Sequence, residues 1–304
     1  MERRNGFLLL KNYKLLDKEV NQGCSYFYNT SFLQWMEIEN EEYLFKSGIT
    51  PYVNFSELLG EQIALSVDIP TVHYDLAKYK GKFGVISNNY NPDHKKEVLL
   101  SYILEKYFSQ VICSGQIDYD GIIFSNQLHN LENIWAALEY YYNNNKNKQH
   151  IVSSLMFQII DSFILQILQG NADLHSGNIV ILDGELPCLA ANFDYGQIGL
   201  IDLTSSLDVN NYKMDVTTFS FYKQYSPQKT IKNFLEISDP LFQYYFFRKV
   251  EMLPDIEYLI EKIEIQIQNK LDENIRDYLI GNYQNNKNYL LSLRKNKSHD
   301  IINM

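Results

Sequence analysis

Gly170-Asn171-Ala172-Asp173-Leu174-His175-Ser176-Gly177-Asn178 is the stretch whose reading decides the fold. It is followed by Ile179-Val180-Ile181-Leu182, the turn Asp183-Gly184, the run Leu186 to Ala190, and Asn192-Phe193-Asp194-Tyr195-Gly196. Asp-Gly between two apolar runs is a strong hairpin signal. A hairpin returns the chain, so the loop carrying Asp173 and Asn178 and the loop carrying Asp194 are brought to one end of it. Phosphoryl transfer from ATP needs a carboxylate that orients the incoming hydroxyl and takes its proton, and oxygen ligands that hold Mg²⁺ against the phosphates. Asp173 supplies the first, and Asn178 and Asp194 supply the second. D-x4-N alone arises by chance in turns, but coupled to an Asp-Gly hairpin and then to F-D-x-G it is far more specific. The plainer alternative makes Asp173 and Asn178 turn residues after a helix and Asp194 a cap.

Outward from this segment, the first ninety residues read as short strands around one helix. Phe32 to Ile38, the polar turn Glu39 to Glu42 and Tyr43 to Lys46 predict a hairpin. Phe55, Leu59, Ile63 and Val67 recur every four residues, which predicts a helix ending at Asp68-Ile69-Pro70. Val72 to Ala77, Lys80-Gly81 and Phe83 to Ser87 predict a second hairpin. At Asn88 to Asp93 the pattern turns to loop-forming residues and a boundary is placed there. Beyond it Glu97 to Phe108, Leu128 to Tyr142 and Ile151 to Leu168 read as helices. Ile256, Leu259, Ile260, Ile263, Ile267, Leu271 and Ile275 read as one long amphipathic helix capped by Gly281, with the polar tract Asn282 to Asn288 as surface. There is no internal repeat.

Composition excludes several classes. The chain has 304 residues, 27 Lys and Arg against 37 Asp and Glu, and a net charge of −10. That argues against a nucleic-acid-binding surface, and any phosphate must be met locally. From Gln149 to Tyr212 there is no Lys or Arg, while seven carboxylates occur: Asp161, Asp173, Asp183, Glu185, Asp194, Asp202 and Asp208. A metal site is acidic in any case; the sharper reading is that this acidic surround favours cationic substrates such as Lys- and Arg-rich protein segments. No Arg precedes Asp173 in the manner needed to bind a phosphate on an activation loop. Cys24, Cys113 and Cys188 form no CxxC pair, and the six histidines show no zinc spacing. The apolar stretch Phe7 to Leu10 is too short for a signal sequence, and no apolar run long enough to span a bilayer is apparent. A reduced, cytoplasmic protein without a membrane segment is the expectation.

Ile164 to Gly196 resembles the catalytic core of HipA-like kinases, with its G-N-x-D-x-H-x-x-N loop and its L-A-P-x-[FY]-D-x-G metal motif; Ala191 stands here for the proline. Aminoglycoside-type phosphotransferases share the D-L-H-x-G-N-I string, found as Asp173 to Ile179, but differ before and after it. Ser56-Glu57 through Ile63-Ala64 to Asp68-Ile69-Pro70 resembles the family's first-lobe helix, with Asp68 in place of glycine. The resemblance implies Lys46 as the ATP-phosphate lysine and Glu57 as its helix partner, although periodicity places Glu61 nearer the apolar stripe. It assigns Asn171 and His175 to shaping the loop. Gly23 and Ser25, in Asn21 to Ser25, fit either a phosphate-covering loop or a plain hairpin turn.

The expectation is therefore an α+β, two-lobed protein-kinase-like fold, with residues 1–90 as the strand-rich lobe and 91–304 as the helical lobe. The expected activity is ATP- and Mg²⁺-dependent transfer to a Ser or Thr hydroxyl. The chain lacks room for the additional N-terminal subdomain of full-length HipA toxins, and the resemblance implies a short form, autophosphorylation and a partner of antitoxin type. Two alternatives stand beside it: a small-molecule phosphotransferase, and a non-catalytic binding module on the same scaffold.

Overall fold

A computed structural model describes residues 2–4, 7–10, 13–16, 32–47, 51–109, 130–170, 176–193 and 227–301. In chain order it has β1 (Glu2–Arg4), β2 (Phe7–Leu9), β3 (Tyr13–Leu15), β4 (Phe32–Ile38), β5 (Glu41–Ser47), α1 (Pro51–Ser66), β6 (Tyr74–Tyr79), β7 (Lys82–Asn88), β8 (Lys96–Leu99) and α2 (Leu100–Tyr107). Then follow α3 (Leu131–Tyr141), α4 (Lys148–Gln169), β9 (Val180–Asp183), β10 (Cys188–Leu189), α5 (Pro227–Ile237), α6 (Pro240–Glu251), α7 (Ile256–Ile267) and α8 (Glu273–Ile301). Two compact units result. One comprises residues 1–93, 191–213 and 254–283, and the other 94–190, 214–253 and 284–304.

The first unit is built on a seven-stranded sheet in the order β1-β2-β6-β7-β5-β4-β3, antiparallel except where β2 runs parallel to β6. Both expected hairpins form. Glu39 and Asn40 have φ of 54° and 67°, and Lys80 and Gly81 have 47° and 82°. Two successive positive φ values give the turn twist that matches a right-handed strand pair. Strand alternation then points Met36, Ile38, Phe45, Ala77, Tyr79 and Ile86 to a shared core. The sheet curls around it: Tyr13, at one edge, meets Tyr79 of β6 edge-to-face at 5.2 Å between ring centroids.

Helix α1 packs on β6 and β7 on one side and on α7 on the other. It closes with Asp68 N–H donating to the Leu65 carbonyl and Ile69 N–H to the Ala64 carbonyl, while Asp68 sits at φ 55°. This is the paired closure that favours glycine at the left-handed position. It accounts for the glycine of the resembled pattern at the place where this chain has Asp68.

In the second unit α4 is the central helix, with α3, α5, α6 and β10 packed on it. Trp135, Phe157, Phe234, Phe242 and Tyr245 interlock between these helices. By length and composition α4 is apolar enough to cross a bilayer, contrary to the expectation from the sequence, yet most of it is buried inside the protein. Asp161, Ser162, Gln166 and Gln169 are among its buried residues, as befits a core helix that also has polar neighbours.

Three other expectations are corrected. Glu97 to Phe108 is not one helix, because Lys96–Leu99 pairs with β9 and only then does α2 begin. Val98, opposite Ile181, serves equally well as a helix or a strand residue, and the partner strand decides. The long helix from Ile256 is two helices, since Gln268 adopts φ 54° and ends α7. Gly281 does not cap it and lies within α8, and the tract after it is not all surface: Tyr283 and Asn286 are buried.

Candidate functional site

Lys46 lies next to the end of β5, opposite Leu33 on one side and Val85 on the other. Phe45 before it points into the sheet's core, so alternation turns Lys46 to the opposite face. There Lys46 Nζ meets Glu57 Oε1 at 2.5 Å, with the lysine side chain 15% exposed and the glutamate 0%. A charged pair held this far from water is retained only when each charge answers the other. The apolar stripe of α1 favoured Glu61, but that guide assumes one solvated face. With the sheet on one side and α7 on the other, both Glu57 and Glu61 are buried.

Glu61 has its own partners: His73 Nδ1 at 2.6 Å and the Tyr74 N–H at 3.1 Å. His73 Nε2 also lies 3.5 Å from Asp75 Oδ2. Hydrogen bonds to Asp75 and Glu61 lift the imidazole from its usual 6.5 to about 10, so it is cationic at neutral pH. The two glutamates of α1 therefore do different work, one holding a lysine and the other a histidine.

In the other unit, Asn178 lies in the turn between α4 and β9. Leu99, at the start of α2, offers no side-chain cap, so the first N–H groups of the helix must find acceptors elsewhere. They find them in this turn: Leu100 N–H donates to the Ile179 carbonyl at 2.9 Å and Ser101 N–H to the Ser176 carbonyl at 3.0 Å. Asn178 is thus bracketed by two backbone anchors. The reading of Glu97 to Phe108 as one helix hid the junction that provides them. Upstream, Gly170 ends α4 at φ 57°, returning its N–H to the Gln166 and Ile167 carbonyls.

The approach to the F-D-x-G motif is also anchored, in the first unit. Asn192 N–H donates to the Pro70 carbonyl, and Val72 N–H and the Thr71 hydroxyl donate to the Asn192 carbonyl, all at 3.0 Å. The Asn192 amide reaches Pro70 as well. Phe193 stacks on Tyr90 at 4.9 Å and 13°. Thr71 and Tyr90 carry no motif, and only the three-dimensional pairing marks them; Pro70 belongs to the resembled helix pattern, which says nothing of this pairing. Asp173, Asp194, Asn171, His175, Gly23 and Ser25 lie outside the described residues. Among the described residues no group of three or more His, Cys, Asp or Glu is placed to hold a metal ion.

No family model and no curated protein sequence matches the chain. Solved structures do. The proinflammatory kinase CtkA of Helicobacter pylori is similar over 94% of this chain and 96% of its own, with a TM-score of 0.62 and 16% identity. HipA of Shewanella oneidensis MR-1, solved with HipB and operator DNA, is matched over 83% of this chain and 57% of its own at a TM-score of 0.43 and 12% identity. The aminoglycoside phosphotransferase APH(4)-Ia is matched over 90% and 94% at 0.29 and 9%. The likeness to CtkA shows the fold: the chain is α+β and protein-kinase-like. The other two are too distant to add to that.

Proposed function

We propose that this chain is an ATP- and Mg²⁺-dependent protein serine/threonine kinase of HipA-like type. The observation that carries the reading is the buried Lys46–Glu57 pair, on a strand and a helix of a protein-kinase-like fold. Such a pair holds an ammonium in a fixed place where it can meet the α and β phosphates of a nucleotide. Asp173 orients the acceptor hydroxyl and takes its proton. The amide oxygen of Asn178 and the carboxylate of Asp194 are hard oxygen donors, the kind that Mg²⁺ takes, and the ion supplies charge neutralisation at the phosphates when bound. The backbone anchors at Ser176, Ile179 and Asn192 hold the two segments that carry these donors.

A second reading, a small-molecule phosphotransferase, is favoured by the Asp173 to Ile179 string that aminoglycoside-type enzymes share. One experiment separates catalysis from its absence and one acceptor class from the other. The protein is incubated with labelled ATP and Mg²⁺, alone, with lysate protein and with an aminoglycoside panel, beside Asp173→Asn. Label in protein that disappears in Asp173→Asn supports the kinase reading, and label in the small molecules supports the second. Equal labelling by both proteins removes the catalytic assignment.

A further inference from the structure

Lys46 is gripped through its backbone as well as by Glu57. The ladder between β5 and β7 stops at Lys46 and Val85. One residue earlier, at Gly84, β7 crosses the Lys46 peptide so closely that a Cβ at Gly84 would lie 2.2 Å from the Lys46 carbonyl oxygen and 2.8 Å from Phe45 Cζ. Neither neighbour can step aside. The first is backbone in the sheet, and the second belongs to a side chain buried to 0% exposure in the core. Just beyond that carbonyl, the Ser47 hydroxyl donates to the Phe83 carbonyl at 2.8 Å. Phe83 and Gly84 thus hold the peptide that joins Lys46 to Ser47 from two neighbouring points of β7.

We propose that Gly84 is a positioning residue for Lys46. Its missing side chain lets β7 close over the Lys46 peptide and so fixes where the ammonium stands. The inference rests on the phosphotransferase reading, in which that ammonium meets nucleotide phosphates. A methyl group at Gly84 pushes the two strands apart and carries Lys46 with them. Displacements near 1 Å are enough to cost on the order of 10²-fold in a catalytic rate.

The test is a double-mutant cycle on nucleotide binding. Wild type, Gly84→Ala, Lys46→Ala and the double variant are titrated with a fluorescent, non-hydrolysable ATP analogue, with thermal melts to confirm folding. Gly184→Ala is the control, because a Cβ there meets nothing within 4 Å. Gly84→Ala is expected to weaken binding about tenfold, and to add no further loss once Lys46 is alanine. Wild-type affinity in Gly84→Ala, or a loss that persists in full without the lysine, overturns the proposal. Where Gly84→Ala does not fold, Ser47→Ala takes its place in the cycle, since it loosens the same peptide without a clash. The same two outcomes then overturn the proposal. A wild-type protein that binds no analogue removes the phosphotransferase reading itself, before the cycle begins.

Discussion

Glu57 is fully enclosed, and the Lys46 ammonium 2.5 Å away answers its charge. Removing one member of a buried pair strands the other, at a cost of about 3–5 kcal/mol, whereas replacing both by apolar groups of similar volume is often neutral. Lys46→Met is therefore expected to lose about 3 kcal/mol of unfolding free energy in urea. The double variant Lys46→Met/Glu57→Leu should recover most of it while binding the nucleotide analogue more weakly than wild type. A double variant as unstable as Lys46→Met would mean that the pair is not the source of the loss. His73 gives a second residue-level test. Its folded value of about 10 lies above the unfolded 6.5, so its ion pairs with Asp75 and Glu61 stabilise fully below pH 6.5 and are lost as pH rises through 10. Between pH 7 and 10 the urea midpoint of wild type should fall more than that of His73→Gln, and parallel falls would refute the assignment.

At the scale of elements, legibility followed the strength of local signals. The hairpins β4–β5, β6–β7 and β9–β10 were readable because each joins apolar runs by residues that accept a turn, and α1 because its closing Asp68-Ile69-Pro70 leaves no other exit. The strand β8 was not, since Glu97-Val98-Leu99 takes its conformation from β9, more than eighty residues away. The long terminal helix was not either. The break at Gln268 uses a left-handed residue that sequence reserves for Gly or Asn, and Gly281 suggested a cap where there is none. Two tests belong here. Asp68→Gly relieves the left-handed strain at the end of α1 and should raise stability by about 1 kcal/mol, read from urea unfolding. Asn286, 0% exposed in α8, directs its amide to the Leu168 carbonyl in the last turn of α4, three residues before Asn171. Asn286→Leu should destabilise by about 1–3 kcal/mol, as expected when a buried acceptor loses its donor. A change within 0.5 kcal/mol, the range of ordinary surface substitutions, would show that the amide is idle.

For the molecule as a whole, the candidate site was legible in the sequence as chemistry, and of its residues Lys46, Glu57 and Asn178 lie among those the structure describes. Asp173, Asn178 and Asp194 announce themselves by spacing, and Lys46 and Glu57 by their place in a strand and helix. What spacing cannot express is support from elsewhere in the chain: the Asn192 contacts at Pro70 and Thr71, the α2 anchors around Asn178 and the close approach at Gly84 all join residues far apart in sequence. The charge distribution, by contrast, is a property of the full chain. A net charge of −10 with seven carboxylates and no Lys or Arg between Gln149 and Tyr212 places the Asp173 and Asp194 loops in a strongly negative segment. Fields of this kind attract oppositely charged ligands and are screened over about 8 Å at physiological ionic strength. If the chain phosphorylates protein hydroxyls, a serine peptide flanked by Lys and Arg should have a higher kcat/KM than the same peptide flanked by Glu. The ratio of the two should shrink toward one as NaCl is raised from 50 to 500 mM. A preference for the acidic peptide, or a basic preference untouched by salt, would show that the acidic segment serves the metal site alone and selects no substrate.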